Sequence, residues 1–117
     1  MKKLTNELLT EKYTYIEHED EIQFNAPHHF LVKRTSDNEV VSKIDLQCGP
    51  IKEAGVNGCC NEDLLNIVAE RLRGFLRSNF VCRENACALK KIEEALMWLR
   101  KRTTAREIRN VEGTHNV

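Results

Sequence analysis

The first 47 residues contain short runs in which apolar and polar side chains alternate. A strand with one buried face has this period of two, and the runs are rich in the β-branched and aromatic residues that favour strands. Turn-forming residues separate the runs at 25–27 and 36–38. The pattern predicts a small antiparallel sheet over residues 12–47, with strands at 13–16, 22–24, 30–32 and 40–46. For residues 4–12 a helical turn and an entry into the first strand remain alternatives.

Residues 48–60 are dense in breakers of regular structure, namely Gly49-Pro50, Gly55 and Asn57-Gly58. We expect a structured loop there, without helix or strand. The loop either turns the chain from sheet to helix or presents backbone amides to an anion, and both interpretations stay open.

Helical periodicity follows the loop. Asn61 is a suitable N-cap for a first helix that runs to about Leu76, and Ser78 or Asn79 can cap a second. Apolar residues recur every three or four positions in both helices, as Leu64, Leu65, Ile67, Val68, Leu72, Phe75 and Leu76, and as Cys82, Leu89, Ile92, Leu96 and Leu99. Two helices joined this briefly pack antiparallel.

The predicted fold class is therefore α+β, with an N-terminal antiparallel sheet followed by an antiparallel helical hairpin. We expect one domain over 1–117, with the hairpin at 61–110. Beyond it, residues 111–117 contain Gly113 and are expected to leave the helix and either fold back or fray.

At 117 residues the chain can form a core but gains only marginal stability from it, so oligomerisation would help. No stretch approaches the roughly 20 apolar residues that cross a bilayer, and the N-terminus lacks the apolar run of a secretory signal. We therefore expect a cytoplasmic protein with no membrane partner.

The formal net charge of zero conceals an asymmetry. Residues 1–70 carry seven basic and thirteen acidic groups, whereas residues 71–109 carry eleven basic and four acidic ones. Arg102, Arg106 and Arg109 follow one another at i, i+4 and i+7 and share one helical face. Such a stripe suits a phosphate-bearing ligand. The alternative is a solvated face whose cations pair with the nearby glutamates, which are Glu84, Glu93, Glu94 and Glu107.

The cysteines and histidines do not indicate a metal or redox site. Five cysteines without an export signal argue against a disulfide framework, and no pair has C-x-x-C spacing. The four histidines have no metal-ligand spacing, and there is neither a Walker loop nor a G-x-S-x-G elbow. We expect no metal, no cofactor and no catalytic residue.

Two residues of the hairpin can contact a ligand. Asn85 occupies a position where the helical stripe calls for an apolar residue, and Phe75 is either core or a platform for a base. Both lie at one end of the hairpin, while Arg102 is about 25 Å further along the second helix at roughly 1.5 Å per residue. Only a second, antiparallel chain could bring its Arg102 and Arg106 to this end, and two-fold symmetry would create two such sites.

Three segments carry a resemblance to a known family. NEDLLNIVAERLRGF (61–75), CRENACALKKIEEALMWLRKRTTAREIRNVEGTH (82–115) and GPIKEAGVNG (49–58) together closely resemble the Thoeris anti-defence proteins of bacteriophages, over about the C-terminal two-thirds of the chain. These belong to a hairpin-domain group that includes anti-CBASS cyclic-nucleotide sponges. One departure is Asn110, where family members often have glycine.

The resemblance implies no enzyme but an inhibitor that sequesters an immune messenger in the host bacterial cytoplasm. The messenger is a cyclic ADP-ribose isomer, glycocyclic ADP-ribose; related members hold cyclic dinucleotides or trinucleotides in separate pockets of a hexamer, a trimer of dimers. Carried over by motif, Phe75 would stack on adenine, Asn85 would hydrogen-bond the ligand, and Arg102 and Arg106 of a partner would hold the pyrophosphate. Thr103 and Arg109 are further candidates.

Two rival functions remain. An enzyme that degrades the messenger would have Glu107 and His115 as its acid/base pair. A regulator that binds nucleic-acid polymers would use the basic helix, although the resemblance implies no such partner.

Overall fold

A computed structural model describes all residues, 1–117, and divides them into two compact units, Met1–Gly58 and Cys59–Val117. The first unit is a four-stranded antiparallel meander in the order β1-β2-β3-β4, and its strands are β1 (Lys2–Lys3), β2 (Thr14–His18), β3 (His29–Arg34) and β4 (Val40–Asp45). The second unit is a helical hairpin. The predicted α+β class is confirmed, and the boundary between the units falls inside the predicted loop 48–60.

The predicted strand at 22–24 is wrong. Its residues belong to a tight two-residue hairpin in which Gln23 bridges Ala26, and Phe24 and Asn25 have φ of 49° and 72°. Alternation of Ile22 and Phe24 is too short a signal to distinguish a strand from a turn. The fourth strand is instead β1, which pairs Lys2 with His18 at the start of the chain.

The register of the sheet shows which side chains share one face. Ile16 lies opposite Val32, and Phe30 lies opposite both His18 and Ile44. Directly opposed residues of an antiparallel pair lie on one face, so these five form the apolar face of the sheet. The ring of His18 is 7% exposed and meets Phe30 edge-on, with the ring centroids 6.0 Å apart.

The loop after β4 is held by two side-chain amides. Gln47 donates from Nε2 to the carbonyls of Gly49 and Gly55 at 3.0 and 2.7 Å, and Asn57 both accepts from the Cys48 N–H and donates to its carbonyl. The expectation of no regular structure fails for one turn, α1 (Ile51–Ala54). Proline at its N-cap and glycine at its C-cap confine the helix to that turn.

The hairpin consists of α2 (Asn61–Leu76) and α3 (Arg83–Ile108). The end of α2 at Leu76 is as predicted, but both caps are cysteines. Cys60 precedes α2 and donates its N–H to Asp63 at 2.8 Å, while the Cys82 sulfur accepts from the Asn85 N–H at 3.4 Å and caps α3. No helix in the protein combines the length and the apolar content that spanning a membrane requires.

One side of α3 is half-buried over its whole length at spacings of three and four, with Asn85, Leu89, Ile92, Leu96, Leu99, Thr103 and Arg106. Arg73 of α2 reaches across to Glu93 of α3 at 3.2 Å. Ala69 is the only fully buried apolar residue of the chain. Two helices cannot enclose a core by themselves, and Ile67, Met97 and Trp98 remain 62–71% exposed.

The chain leaves α3 by a left-handed residue. Asn110 has φ 60°, the conformation that glycine adopts freely and that asparagine tolerates better than other residues. The Asn110 departure from the family pattern is therefore compatible with this helix end. Of the two predicted outcomes for residues 111–117, the tail folds back rather than fraying.

Candidate functional site

One part of the candidate site lies at the connected end of the hairpin, where α2 ends and α3 begins. Phe75 is half-buried there and meets the exposed ring of Phe80 edge-on at 6.3 Å between centroids. The guanidinium of Arg71, one turn earlier, lies 5.1 Å from the centroid of the Phe75 ring. Ser78 fixes the connection by donating to the Phe75 carbonyl and accepting from the Phe80 N–H. Phe75 therefore lies on the protein surface rather than in a core.

Asn85 lies at the same end, as the third residue of α3. Its backbone N–H is satisfied by Cys82, whereas its half-buried side-chain amide has no hydrogen-bond partner in the chain. An amide that lies partly out of water without a partner gains from a ligand that supplies one. The structure thus places the predicted aromatic and amide residues at one end of the hairpin.

The arginines lie at the opposite end of α3. Arg102 is exposed, with neither a hydrogen bond nor an ion pair in the chain. Its neighbour Thr103 points into an open groove of about 320 Å³ between α2 and α3, which is lined also by Glu62, Asn66, Leu96 and Arg100. Thr103 is consequently a groove residue, separated by its direction on the helix from the exposed Arg102.

Arg106 is held by the tail. Its Nη2 donates to the backbone carbonyls of Val111 and Thr114, both at 3.1 Å, and to that of Asn116 at 2.7 Å. A guanidinium binds an anion with two parallel hydrogen bonds, either from Nε and Nη2 or from Nη1 and Nη2, so both modes need Nη2. Arg34 uses the first mode when it donates from Nε and Nη2 to Asp37. In this state Arg106 can offer an anion single hydrogen bonds from Nε and Nη1 only.

Arg109 also serves the tail. It is the C-cap residue of α3, and its Nη2 donates to the carbonyl oxygen of Val117, the last residue of the chain. The three arginines of the predicted stripe therefore differ in the contacts that they make. Arg102 is available to a ligand, while Arg106 and Arg109 bind the returning backbone.

A single chain does not bring all the predicted site residues together. Phe75 and Asn85 lie at the connected end of the hairpin, and Arg102, Thr103, Arg106 and Arg109 lie near the other end of a helix of 26 residues. At about 1.5 Å per residue such a helix is roughly 39 Å long.

The residues that sequence reasoning missed are Arg71 and the tail carbonyls. Arg71 stands four residues before Phe75, the helical spacing at which side chains meet, so the contact had a readable signal. Backbone carbonyls have no such signal, because every residue carries one.

Among the cysteines of the hairpin, Cys60 has a perturbed thiol. None of the five cysteines forms a disulfide bond. Burial, reinforced by the negative charges of Asp63 and Glu62, raises the pKa of the Cys60 thiol, which disfavours the reactive thiolate. No group of three or more His, Cys, Asp or Glu side chains is arranged to hold a metal ion. Glu107 and His115 are both exposed on the arginine end of the unit.

Comparison with known proteins gives two matches. The family model for the Acb2/Tad1 hairpin domain matches residues 38–104, which include α1, all of α2 and most of α3. A protein of Bacillus phage SBSphiJ7, named Thoeris anti-defense 1, is 44% identical in an alignment that covers 98% of this chain and 99% of the relative. The matched region includes Phe75, Asn85, Arg102 and Thr103, whereas Arg106 and Arg109 lie just beyond the family model.

Proposed function

Because the chain belongs to the Acb2/Tad1 hairpin-domain family, we propose that it inhibits bacterial antiviral defence by sequestering a nucleotide messenger without changing it chemically. The messenger is a cyclic ADP-ribose isomer, glycocyclic ADP-ribose, made in the cytoplasm of the infected bacterium. The relative from Bacillus phage SBSphiJ7, which is similar over its full length, has the name Thoeris anti-defense 1. Held by the phage protein, the messenger does not reach the effector that it activates.

The separation of two complementary half-sites along α3 carries this proposal. Phe75 offers an aromatic surface and Asn85 an unpartnered amide at one end, and Arg102 offers an unpaired guanidinium at the other. An adenine can stack on Phe75 and hydrogen-bond to Asn85, and a pyrophosphate can pair with the Arg102 guanidinium. Two hairpins packed antiparallel about a two-fold axis would join the aromatic half of each chain to the arginine half of the other, twice per dimer.

The exposed apolar side chains of the hairpin support assembly into a homo-oligomer. Ile67 of α2 is 65% exposed, and Met97 and Trp98 of α3 are 71% and 62% exposed. Large exposed apolar side chains on a small helical unit favour burial against another protein surface. The dimer is the minimum assembly that completes the pocket, and a trimer of such dimers is the hexamer that we propose.

Arg106 joins the pocket by exchanging partners. Phosphate oxygens carry a full negative charge, whereas the tail carbonyls that Nη2 now contacts are neutral. A pyrophosphate adds the attraction between opposite charges and can accept the two parallel hydrogen bonds of a guanidinium fork, so it competes well for Arg106. Thr103 and Arg109 contribute at the edge of the same arginine half.

Sequestration is separated from degradation by the state of the ligand after release. Glycocyclic ADP-ribose is incubated with the protein, the complex is denatured, and the released nucleotide is identified by mass spectrometry. Recovery of intact ligand, in the amount expected for two pockets per dimer, supports sequestration. Cleaved product, lost when Glu107 or His115 is replaced, would show an enzyme instead.

Ligand class is tested by native mass spectrometry against a panel of cyclic dinucleotides, cyclic trinucleotides and glycocyclic ADP-ribose, which reports stoichiometry and ligand mass together. A cyclic oligonucleotide bound at a second stoichiometry would extend the function to CBASS messengers. Random duplex DNA serves as the counter-test, because affinity that falls steeply with salt would identify a nucleic-acid-binding protein.

A further inference from the structure

Arg71 and Phe75 form a cation–π contact on α2. The guanidinium carbon lies 5.1 Å from the centroid of the ring, and the two residues are one helical turn apart. The guanidinium occupies the space over the ring that a planar base would occupy. A base that stacks on this side of Phe75 must therefore displace Arg71.

Arg71 differs from the neighbouring arginines in having no ion-pair partner. Arg73 is paired with Glu70 and Glu93, at 3.4 and 3.2 Å, and Arg77 is paired with Glu70 at 3.4 Å. Arg71 has no carboxylate partner, and its side chain makes no hydrogen bond, so the Phe75 ring is its one specific partner. It is thus the cation of α2 that can leave its present contact without breaking an ion pair.

Whether Arg71 or a nucleobase lies over the Phe75 ring depends on the relative strengths of their contacts with it. A solvent-exposed cation–π contact is weaker than the stacking of a nucleobase on an aromatic side chain. An adenine therefore replaces the guanidinium on Phe75. Arg71 is long enough to stay beside the displaced position, where a nucleotide carries phosphate and ribose oxygens that accept its hydrogen bonds.

From this geometry we propose that Arg71 is a further ligand-binding residue. It covers Phe75 in the free protein and, when an adenine nucleotide binds, donates hydrogen bonds to the phosphate or ribose oxygens of that ligand. The inference rests on the proposed function, since it concerns the same pocket. It adds to the proposed pocket a cation, Arg71, from the same chain that supplies Phe75.

The test compares Arg71→Met with Arg77→Met. Methionine keeps a long side chain on the helix and over the ring but has no charge and no donor, and Arg77 is a matched exposed arginine that does not contact the ring. Calorimetry with glycocyclic ADP-ribose should give about tenfold weaker binding for Arg71→Met, the effect of losing one charge-assisted hydrogen bond. Arg77→Met should stay within about twofold of the parent, as a surface ion pair contributes little.

A second measurement follows Arg71 directly. In protein labelled with ¹⁵N, the Nε–H signal of Arg71 is expected to lose the ring shielding of Phe75 and to move downfield when glycocyclic ADP-ribose is added. Adenosine, which has no phosphate, should displace the guanidinium with a smaller downfield movement. A signal that keeps its ring shielding in the complex would overturn the proposal.

The outcomes separate the inference from the function on which it rests. Equal affinities of parent and Arg71→Met, or equal losses in both variants, would overturn the role of Arg71 while leaving sequestration intact. A parent protein that binds none of the cyclic nucleotides would overturn the proposed function and this inference together.

Discussion

Nη2 of Arg106 donates a hydrogen bond of 2.7 Å to the backbone carbonyl of Asn116, ten residues further along the chain. The same nitrogen reaches the carbonyls of Val111 and Thr114. One guanidinium thus organises the tail, and the proposed ligand requires the same group. We therefore expect order in the tail and occupation of the proposed pocket to be linked through this residue.

Replacing Arg106 by glutamine should loosen the tail. A glutamine amide cannot reach three carbonyls at once, and each hydrogen bond from a charged donor contributes about 1.5–3 kcal/mol. Hydrogen exchange measured by mass spectrometry should become faster over 111–117 and remain unchanged in α2. Arg102→Gln is the matched control, because Arg102 does not contact the tail. Unchanged exchange in Arg106→Gln would show that the tail is held by other contacts.

A pocket shared between chains predicts complementation between defective variants. One variant carries Phe75→Ala with Asn85→Ala, and the other carries Arg102→Ala with Arg106→Ala. Neither should bind glycocyclic ADP-ribose alone. After mixing with exchange of protomers, about half the dimers contain one of each chain, and one pocket of each such dimer is intact, so about a quarter of the parent's binding capacity should return.

Calorimetry of the mixture measures that capacity. Its control is a mixture of two preparations that carry the same pair of substitutions, which should remain inactive. If the cross-mixture is equally inactive although mass spectrometry shows exchanged protomers, the two halves do not form one pocket.

Asn85→Leu should separate stability from binding. Leucine suits the half-buried stripe of α3 and removes an amide that has no partner in the chain. We expect the free energy of unfolding to stay the same or to rise by about 1 kcal/mol, while binding of the nucleotide falls by at least about tenfold. Chemical denaturation and calorimetry on the same sample measure both. Asn66→Leu, an exposed amide on α2, serves as a control for added apolar surface.

The first unit should lose stability in acid through Glu19. Partial burial acts to raise the pKa of the Glu19 carboxyl, but the backbone N–H groups of His28 and His29, at 3.0 and 3.1 Å, and the charge of His29 outweigh it and hold the pKa below its ordinary 4.5. A carboxyl whose pKa is lower in the folded state stabilises that state above about pH 4.5, and the contribution disappears as the pH falls through the lowered value.

The amide protons of His28 and His29 report this titration in NMR spectra, and their shared midpoint should lie below 4.5. In Glu19→Gln the two signals should not move over that range, and the loss of stability in acid should be smaller. A midpoint above 4.5 would contradict the direction of the shift.

The sequence predicted long, periodic elements well and short ones poorly. Period and length identify α2 and α3, because neither strands nor turns produce an apolar stripe of helical period over 16 or 26 residues. Two alternating residues at Ile22 and Phe24 were not sufficient, and a tight turn occupies that position. Asn61 was a reasonable cap by residue type, but Cys60 holds the position and gains its stability from a neighbouring carboxylate.

The candidate site likewise has residues that could be predicted from the sequence and contacts that could not. Phe75 and Asn85 could be proposed from their positions in an apolar pattern, and the arginines from their common spacing. The contact between Arg71 and Phe75 was readable in principle, since it joins residues four apart on one helix. The binding of Arg106 to the tail was not, because its partners are backbone carbonyls whose positions depend on how the chain turns at Asn110.

The order of sheet and hairpin, the family, and the positions of aromatic and basic residues at opposite ends of the hairpin could all be inferred from the amino-acid sequence. These properties follow from local spacing and residue type, which the chain carries in any environment. The folded chain was needed to show that Arg102 is unpaired, that Arg106 binds the tail and that Arg71 covers an aromatic ring. Those differences arise from contacts between backbone and side chains that meet only after folding.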